Sequence, residues 1–389
     1  MKSIAVGHAR RDITPPVGTW MMGYAARTKP CEGVHDPLFA NAVAVSSDGE
    51  RAVVLITLDV SSLDAEVVGR IRRGLLETAG IGPEDVILNT SHTHSGPSTA
   101  KRTYAPRSDE YLTVLVAKSV DAASSALKDL KPSRLRVGSA PVDIGCNRRA
   151  ETPDGKIGIG VNADAPRLAE VTVWRFVRED VDDLLLFSTP IHPSVMGAEN
   201  YLLSGDWAGA ARDAIEKRIR GVRAAFLQGC CGNQGAYRTE RTFETVARHG
   251  ETVADAVAGA LDDMTDAAGA PVVTRLAEAP LPFADGGSYP CPIHGLRLGD
   301  AVFVGIAGEV FVEYALFGRE QSTAKSTIIS GYTDGSIGYL PVAAAYEKGG
   351  YETGANRFFE SGKPWDPSVE DVLKRAIADM LAALSEDTR

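Results

Sequence analysis

Apolar, β-branched runs alternate along the chain with longer stretches of helical periodicity. The run RAVVLITLDV at 51–60 is typical of a buried strand, and SSLDAEVVGRIRRGLLETAG at 61–80 has the apolar spacing of an amphipathic helix. We expect Ser61 or Ser62 to cap the start of this helix and Gly80 to end it. Strand–helix alternation of this kind predicts an α/β fold.

The same alternation continues to the end of the chain. Further strands are predicted at 84–94, 224–229 and 300–309, with a hairpin formed by 167–177 and 183–192. Further helices are predicted at 108–130, 207–220, 244–264 and 368–386. We predict mixed β-sheets flanked by helices in a single large domain over residues 1–389. The stretch 279–296, rich in Pro and Gly, is the best alternative boundary.

Composition narrows the class of protein and of partner. The formal net charge is −10, with no basic block, which argues against nucleic acid or an anionic membrane as the main partner. The first residues lack the apolar core of a signal peptide, and no stretch approaches the length of a membrane-spanning helix. The five cysteines are an odd number, typical of reduced thiols. We expect a cytoplasmic protein with a small-molecule substrate, no stable membrane association and a possible homo-oligomeric state.

Two histidines lie one residue apart in the stretch LNTSHTHSGPS at 88–98. In an extended segment, side chains two residues apart point the same way, so His92 and His94 are expected to face one direction at the end of a strand. Neutral imidazole is the commonest metal ligand in proteins. The pair is therefore either a candidate metal site or two hydrogen-bonded histidines in a loop.

Two further side chains that could bind a metal lie at the ends of other predicted strands. His192 ends the predicted strand 183–191, and Glu309 ends the strand 301–307. Ligands of open α/β sheets bind outside the carboxyl ends of the strands. Imidazoles and a carboxylate arriving there from separate strands form a plausible ligand shell for Zn²⁺. Taken singly, each residue is equally explained by a structural hydrogen bond or by a charge at a helix start.

An ordered series of motifs resembles the neutral/alkaline non-lysosomal ceramidase family along nearly the whole chain. The series comprises DITPPVGTWMMGYA (12–25), GVHDPLFANAV (33–43), NTSHTHSGPS (89–98), IHPSVMG with SGDWAGAA (191–211), GE (308–309) and YLPVAAAYEKGGYE (339–352). The resemblance implies a zinc amidohydrolase with one Zn²⁺ per chain. It places the zinc ligands at His92, His192, Glu309 and Tyr339.

The resemblance also implies the groups around the metal. His94 is placed as a hydrogen-bonding partner at the site, Arg148 as a substrate-contacting arginine, and Tyr351 as a further site tyrosine. A phenolate ligand such as Tyr339 needs a cation nearby to lower its pKa from about 10. Arg148 suits an oxyanion or a carboxylate, but in the doublet with Arg149 one of the two is equally explained as a surface charge.

The chain departs from the family in two ways. Where the family has a serine proposed to take part in amide cleavage, the stretch QGCCGNQGAY (228–237) places Gly235. Cys230 and Cys231 are adjacent, but a thiol after a buried strand is usually a small core residue. From the length we also expect neither the C-terminal β-sandwich domain nor the lipid-facing insertions of the secreted enzymes, and we therefore do not expect ceramide itself to be the substrate.

The resulting hypothesis is a zinc-dependent hydrolase that cleaves an amide, lactone or ester of a small, polar substrate through metal-activated water. His94 is the candidate for proton transfer, with Arg148 and Tyr351 holding the substrate or its oxyanion. Asp59 and Asp206 each have two explanations: either the carboxylate orients a metal-binding histidine through a hydrogen bond to its ring, or it caps a helix. Two alternatives stay open: a metal-dependent isomerase or lyase acting on a sugar-like substrate, and a metal-stabilised binding protein without turnover. The sequence does not decide between Zn²⁺, Mn²⁺ and Fe²⁺.

Overall fold

The longest apolar runs form strands that are buried on both faces. The computed structural model describes residues 4–47, 51–238 and 240–386. Its strands are β1 (Ile4–Asp12), β2 (Gly33–Val34), β3 (Phe39–Ser47), β4 (Arg51–Leu58), β5 (Val86–Thr90), β6 (Lys131–Pro141), β7 (Gly145–Glu151), β8 (Ile157–Asn162), β9 (Glu170–Arg178), β10 (Asp183–Thr189), β11 (Leu202–Leu203), β12 (Val222–Gln228), β13 (Gln234–Ala236), β14 (Thr265–Ala267), β15 (Val272–Pro282), β16 (Ser288–Leu298), β17 (Ala301–Ile306), β18 (Glu309–Val310), β19 (Ser326–Ser330) and β20 (Tyr339–Leu340).

Helices occupy most of the longer connections. They are α1 (Ala65–Ala79), α2 (Asp109–Lys128), α3 (Asp206–Arg218), α4 (Phe243–Asp262), α5 (Val312–Gln321), α6 (Ala343–Lys348), α7 (Tyr351–Gly354) and α8 (Val369–Glu386), with short 3₁₀ turns at Pro83–Asp85 and Ala355–Phe358. Within the described residues, no helix is long and apolar enough to cross a membrane.

Two mixed sheets form the centre of the fold. The larger has the order β12-β10-β9-β6-β1-β3-β4-β5, with β14 paired to β6, and the smaller has the order β15-β16-β17-β19. The pairs β4–β5, β10–β12 and β17–β19 are parallel, whereas their neighbours are antiparallel. Three small sheets, β11-β2, β13-β7-β8 and β18-β20, lie outside these two.

The two large sheets share one apolar layer. Trp174 and Phe176 of the larger sheet lie in one buried cluster with Leu296 and Phe303 of the smaller. Separate clusters pack helices α1 and α2, helices α3 and α4, and helices α5 and α8 on the outer faces. Because the central strands are covered on both faces, they need apolar residues at successive positions, as their sequences show.

The predicted fold class is confirmed, with corrections of detail. The hairpin is present as β9 and β10, and Gly80 ends α1 with a left-handed φ of 68°. Neither Ser61 nor Ser62 caps α1: the cap is Asp64, whose side chain accepts a hydrogen bond from the backbone N–H of Val67 at 3.2 Å. In the stretch 279–296, the alternative boundary, residues 279–282 and 288–296 lie in β15 and β16, which pair with each other as an antiparallel hairpin. The extent of the domain over residues 1–389 stays a prediction.

Candidate metal centre and active site

Three chemically distinctive side chains follow the carboxyl ends of three strands. His92 follows β5, His192 follows β10, and Glu309 begins β18 directly after β17. The side chains of all three are buried, with His192 wholly inaccessible. The histidines therefore follow strands of the larger sheet and the carboxylate follows β17 of the smaller, so the candidate site lies where the two sheets meet.

The two neighbouring histidines converge for a different reason from the predicted one. The strand ends at Thr90, and His92 has a left-handed φ of 63° rather than an extended backbone. Its N–H donates to the carbonyl of Val60 at 3.0 Å, and that of His94 donates to the carbonyl of Pro193 at 3.0 Å. The loop, held by these bonds, turns both rings inward until their Nε2 atoms are 3.1 Å apart.

The side chains meet around one point. Oε2 of Glu309 lies 3.4 Å from Nε2 of His92 and 3.4 Å from Nε2 of His192. His92, His94 and His192 each offer one ring nitrogen, and these three nitrogens lie within 4.8 Å of one another. Three imidazoles and a buried carboxylate at such distances are close enough to hold a metal ion.

Hydrogen bonds from Nδ1 to backbone carbonyls fix the orientation of two of the histidine rings. Nδ1 of His92 faces the carbonyl of Ser61 at 2.7 Å, and Nδ1 of His192 faces the carbonyl of Cys231 at 2.6 Å. A carbonyl only accepts, so each Nδ1 carries the hydrogen and each Nε2 presents a lone pair to the centre. This backing by a carbonyl is the usual arrangement of a metal-ligating histidine. His94 lacks it: its Nδ1 is buried and has no hydrogen-bond partner among the described residues.

The electrostatics fit a cation at this point. Burial alone would raise the pKa of Glu309, but the adjacent His92 and His192 rings hold that pKa well below its usual range. Burial lowers the pKa of His192 to about 3, and burial also lowers that of His94 well below 6.5. Nε2 of His192 is buried without a hydrogen-bond partner in the described chain. Imidazole nitrogens with an unused buried lone pair beside a carboxylate form the kind of donor set that a divalent metal requires.

Tyr339 and Arg148 lie beside this cluster. Tyr339 is paired with Glu309 across β18 and β20, and Nη2 of Arg148 donates to the Tyr339 hydroxyl at 3.0 Å. Burial raises the pKa of Tyr339 well above 10, so a cation would be needed to make it a phenolate. The ring of Tyr351 meets the Tyr339 ring edge-on at 5.6 Å, and Tyr351 is 49% exposed at the mouth of the site.

A carboxylate that the sequence analysis did not single out holds both arginines of the doublet. Nε of Arg148 donates to Oε1 of Glu352 at 3.0 Å, and Nη1 of Arg149 donates to Oε2 at 2.6 Å. Both arginines are buried, so the surface-charge explanation is wrong for each. Glu352 follows Tyr351 directly in the motif YEKGGYE, and this adjacency is the signal that could have found it.

Tyr332, which the sequence analysis also did not identify, lies beside the cluster. The ring of Tyr332 packs against that of His92, with centroids 4.1 Å apart and the planes tilted by 30°, and its hydroxyl donates to Oε2 of Glu309 at 3.3 Å. Its backbone is left-handed, with a φ of 53°. It lies two residues beyond β19, so the position at a strand end was the available signal.

The two aspartates have clear structural partners. Asp59 accepts from the N–H of Phe39 at 3.0 Å and pairs with the buried guanidinium of Arg212, so it neither caps a helix nor contacts a histidine. Asp206, the first residue of α3, accepts from the N–H of Val195 at 3.1 Å, and burial raises its pKa to about 7. Asp206 thereby ties the start of α3 to the segment that follows His192.

All five cysteines are free and buried. Burial raises the pKa of Cys230 and of Cys231 well above 9, and Sγ of Cys231 lies 3.2 Å from the Tyr332 hydroxyl. A thiol that resists ionisation is a poor nucleophile. Both residues act as small core groups, as their position after a buried strand predicts.

Two glycines beside the site differ in whether their surroundings leave space for a side chain. A Cβ on Gly232 would lie 2.4 Å from the carbonyl oxygen of Glu309, whereas the nearest atom to a Cβ on Gly235 is Cβ of Arg148 at 3.4 Å. The backbone of Gly232 must therefore approach Glu309 closely, while Gly235 has room for a side chain.

We expect Gly232→Ala to lower the free energy of unfolding by about 1–3 kcal/mol, because the strand carrying Glu309 must shift. The matched variant Gly235→Ala is expected to change it by less than about 1 kcal/mol. Denaturant titration of both variants measures this difference. Equal losses of stability in the two variants would contradict the assignment of the close contact to Gly232.

Comparisons with known proteins agree on one family. The sequence profile for "Neutral/alkaline non-lysosomal ceramidase, N-terminal" matches residues 4–254. "Neutral ceramidase A" of Dictyostelium discoideum is 27% identical over 244 residues, which is 56% of this chain and 32% of that protein. The chain therefore matches only about a third of the length of that relative.

Two solved structures share the fold. One, described as a ceramidase complexed with C2, superposes with a TM-score of 0.84 at 18% identity over 100% of this chain and 76% of that one. The neutral ceramidase from Pseudomonas aeruginosa gives a TM-score of 0.81 at 18% identity, over 100% of this chain and 75% of that one. With a family profile that matches more than half of its length and this shared fold, the chain belongs to the neutral/alkaline non-lysosomal ceramidase family.

Proposed function

We propose that this chain is a zinc-dependent hydrolase that cleaves an amide bond, or a lactone or ester, in a small polar substrate. The observation that carries the proposal is the arrangement around Glu309, whose Oε2 lies 3.4 Å from the Nε2 atoms of both His92 and His192. Each of these rings is backed by a carbonyl, which leaves the Nε2 lone pair free to bind a cation shared with the carboxylate.

We infer that His92, His192 and Glu309 hold the metal and that Tyr339 completes the set. Tyr339 is included because of the family resemblance and because it pairs with Glu309 across β18 and β20. A zinc ion bound there would supply an acidified water, with a pKa near about 7, and polarise the substrate carbonyl. Four protein ligands leave at most one further coordination position, which is what hydrolysis needs.

The remaining groups would act on the substrate directly. Arg148 is held in one orientation by Glu352, and its Nη2 reaches the Tyr339 hydroxyl, so its guanidinium is placed to bind the substrate carbonyl as negative charge develops. His94 lies beside His92, and its Nδ1 has no hydrogen-bond partner in the described part of the chain, which suits it to pass a proton between the reacting water and the leaving group. Tyr351, half-exposed at the mouth, would contact the incoming substrate.

The absence of a hydroxyl at Gly235 supports direct attack by water rather than by a serine. The same absence supports the alternative of an isomerase or lyase that uses the metal as a Lewis acid. A binding protein without turnover is less well supported, because a purely structural metal site has no use for a buried arginine aimed at its edge.

Metal analysis combined with a substrate panel separates these functions. Protein purified without chelator is expected to contain about one zinc per chain by elemental analysis, to lose activity with chelator and to regain it with Zn²⁺. The panel comprises short N-acyl amides, lactones, sugar acids and long-chain ceramide in detergent, and we expect the short polar amides or lactones to react fastest.

Each result bears on a different part of the proposal. Protein without any transition metal would refute the metal site. Metal-dependent conversion of a sugar acid without hydrolysis would favour the isomerase or lyase. Turnover of long-chain ceramide at the rate of the best polar substrate would refute the expected preference. Full metal content with no turnover of any substrate would favour the binding protein.

A further inference from the structure

A cavity opens beside the candidate site, and its charged groups are all cationic. It has a volume of about 250 Å³, and its lining includes Arg148, Arg238, Arg241, Gly235 and Ser194. Gly235 forms an isolated bridge with His192, so the cavity lies next to a proposed metal ligand. Because Gly235 has no side chain, the stem of Arg148 borders this space directly.

The arginines of this cavity are incompletely neutralised. Arg238 is half-buried and donates to the carbonyl of Ser194 at 3.3 Å, but it forms no ion pair with any residue that the structure describes. Arg241 meets Glu199 at 3.5 Å, yet Glu199 is 81% exposed and lies outside the cavity lining. The carboxylate of Glu352 is shared between Arg148 and Arg149.

This local excess of positive charge contrasts with the rest of the molecule. The chain has a net charge of −10, so the cavity is not part of a generally basic surface. A cleft lined by one sign of charge concentrates ligands of the opposite sign. Guanidinium groups also match the planar geometry of carboxylate and phosphate oxygens.

The cavity has an apolar side as well. Ile159 and Val161 of β8 line it and are 50% and 63% exposed. Alternate residues of a strand point to the same face, so these two side chains lie side by side. A short acyl chain bound in the cavity would cover both side chains and shield them from water.

We propose that this cavity binds an anionic group of the substrate, so that the preferred substrates are short N-acyl compounds carrying a carboxylate or a phosphate. Arg238 and Arg241 bind the anion, Ile159 and Val161 contact the apolar part, and the scissile bond lies towards Arg148. This inference rests on the proposed hydrolase function and specifies its substrate class.

Matched pairs of substrates test the preference. N-hexanoylglycine is compared with N-hexanoylglycinamide, and N-hexanoyl-O-phosphoethanolamine with N-hexanoylethanolamine, with release of hexanoate as the readout. We expect kcat/KM for the anionic member of at least one pair to exceed that of its neutral partner by about tenfold or more, the usual size of a charge-assisted hydrogen bond. The pair that shows the preference identifies the anion. Equal rates within both pairs would overturn the proposal.

Variants assign the preference to the arginines. Arg238→Gln and Arg241→Gln are expected to remove most of the preference, mainly by raising KM for the anionic member of each pair. Arg223→Gln is the matched control, because Arg223 is a half-exposed arginine at the opposite end of the strand that leads towards Gly235. Equal loss in the control, or an unchanged preference in both test variants, would overturn the assignment.

A binding measurement separates this inference from the proposed function. Metal-free wild-type protein, which is not expected to hydrolyse the amide, is titrated with N-hexanoylglycine and with N-hexanoylglycinamide in a calorimeter, and the phosphate pair is titrated in the same way. Tighter binding of the anionic member, lost in Arg238→Gln, would support the anion site even if no substrate is hydrolysed. Hydrolysis of neutral amides without any anionic preference, in rate or in binding, would refute the anion site and leave the hydrolase function standing.

Discussion

His92→Ala is expected to lose the metal and the activity together, whereas His94→Ala should keep near-stoichiometric metal and lose activity by about 10²–10⁴-fold. The reason lies in the second nitrogen of each ring. Nδ1 of His92 is fixed by the carbonyl of Ser61, as ligand histidines usually are, and Nδ1 of His94 is buried with no partner among the described residues. His94 therefore fits a group that moves protons better than one that holds the ion.

Elemental analysis and steady-state kinetics on the two variants check this expectation. His249→Ala is a suitable control, because His249 is a buried histidine of α4 whose Nε2 donates to the backbone carbonyl of Tyr237 at 2.7 Å rather than to a residue of the cluster. It should keep both metal and activity. If His94→Ala empties the site as fully as His92→Ala does, all three histidines are ligands and the proton-transfer role belongs to another group.

Glu352→Gln is expected to lower the free energy of unfolding by about 3–5 kcal/mol and to abolish most activity. Its carboxylate is the shared partner of Arg148 and Arg149, and the three side chains are almost wholly buried. A glutamine would leave two buried guanidinium groups without their counter-charge and would free Arg148 from its fixed orientation.

The matched control is Glu347→Gln, an exposed glutamate in the same segment of the chain. Its stability should change by less than about 0.5 kcal/mol. Denaturant unfolding gives the stability, and metal content shows whether the variant still assembles the cluster. Metal retained with lost turnover would place Glu352 in positioning Arg148. Unchanged stability and unchanged activity would contradict the role given to the shared ion pair.

The fold class could be predicted because the central strands and outer helices carry different periodicities. The last six residues of β4 are buried and five of them are apolar, whereas α1 buries one apolar stripe. Helix ends were less certain where several capping residues follow one another. Ser61, Ser62 and Asp64 are all good N-caps, and only the tertiary structure shows that the Ser61 carbonyl is already used by His92.

The site could be predicted in part. His92, His192 and Glu309 were found because chemically active side chains stood at the ends of apolar runs, and the structure brings them together. Glu352 and Tyr332 were missed because their importance depends on which side chain each one meets, which local pattern does not encode. The extended geometry expected for His92 and His94 was wrong because the loop is shaped by distant carbonyls rather than by its own sequence.

The position of the cluster at the meeting point of two sheets has a consequence for how the molecule assembles. His92 and His192 follow strands of the larger sheet, and Glu309 follows β17 of the smaller, more than a hundred residues later in the chain. A complete coordination sphere can therefore form only after the two halves have docked. A metal bound by both halves stabilises the docked state by mass action, so saturating metal should raise the melting temperature and slow unfolding. In such a protein, tight metal uptake during refolding would be a late event, and its rate would report the docking of the sheets rather than the formation of either one.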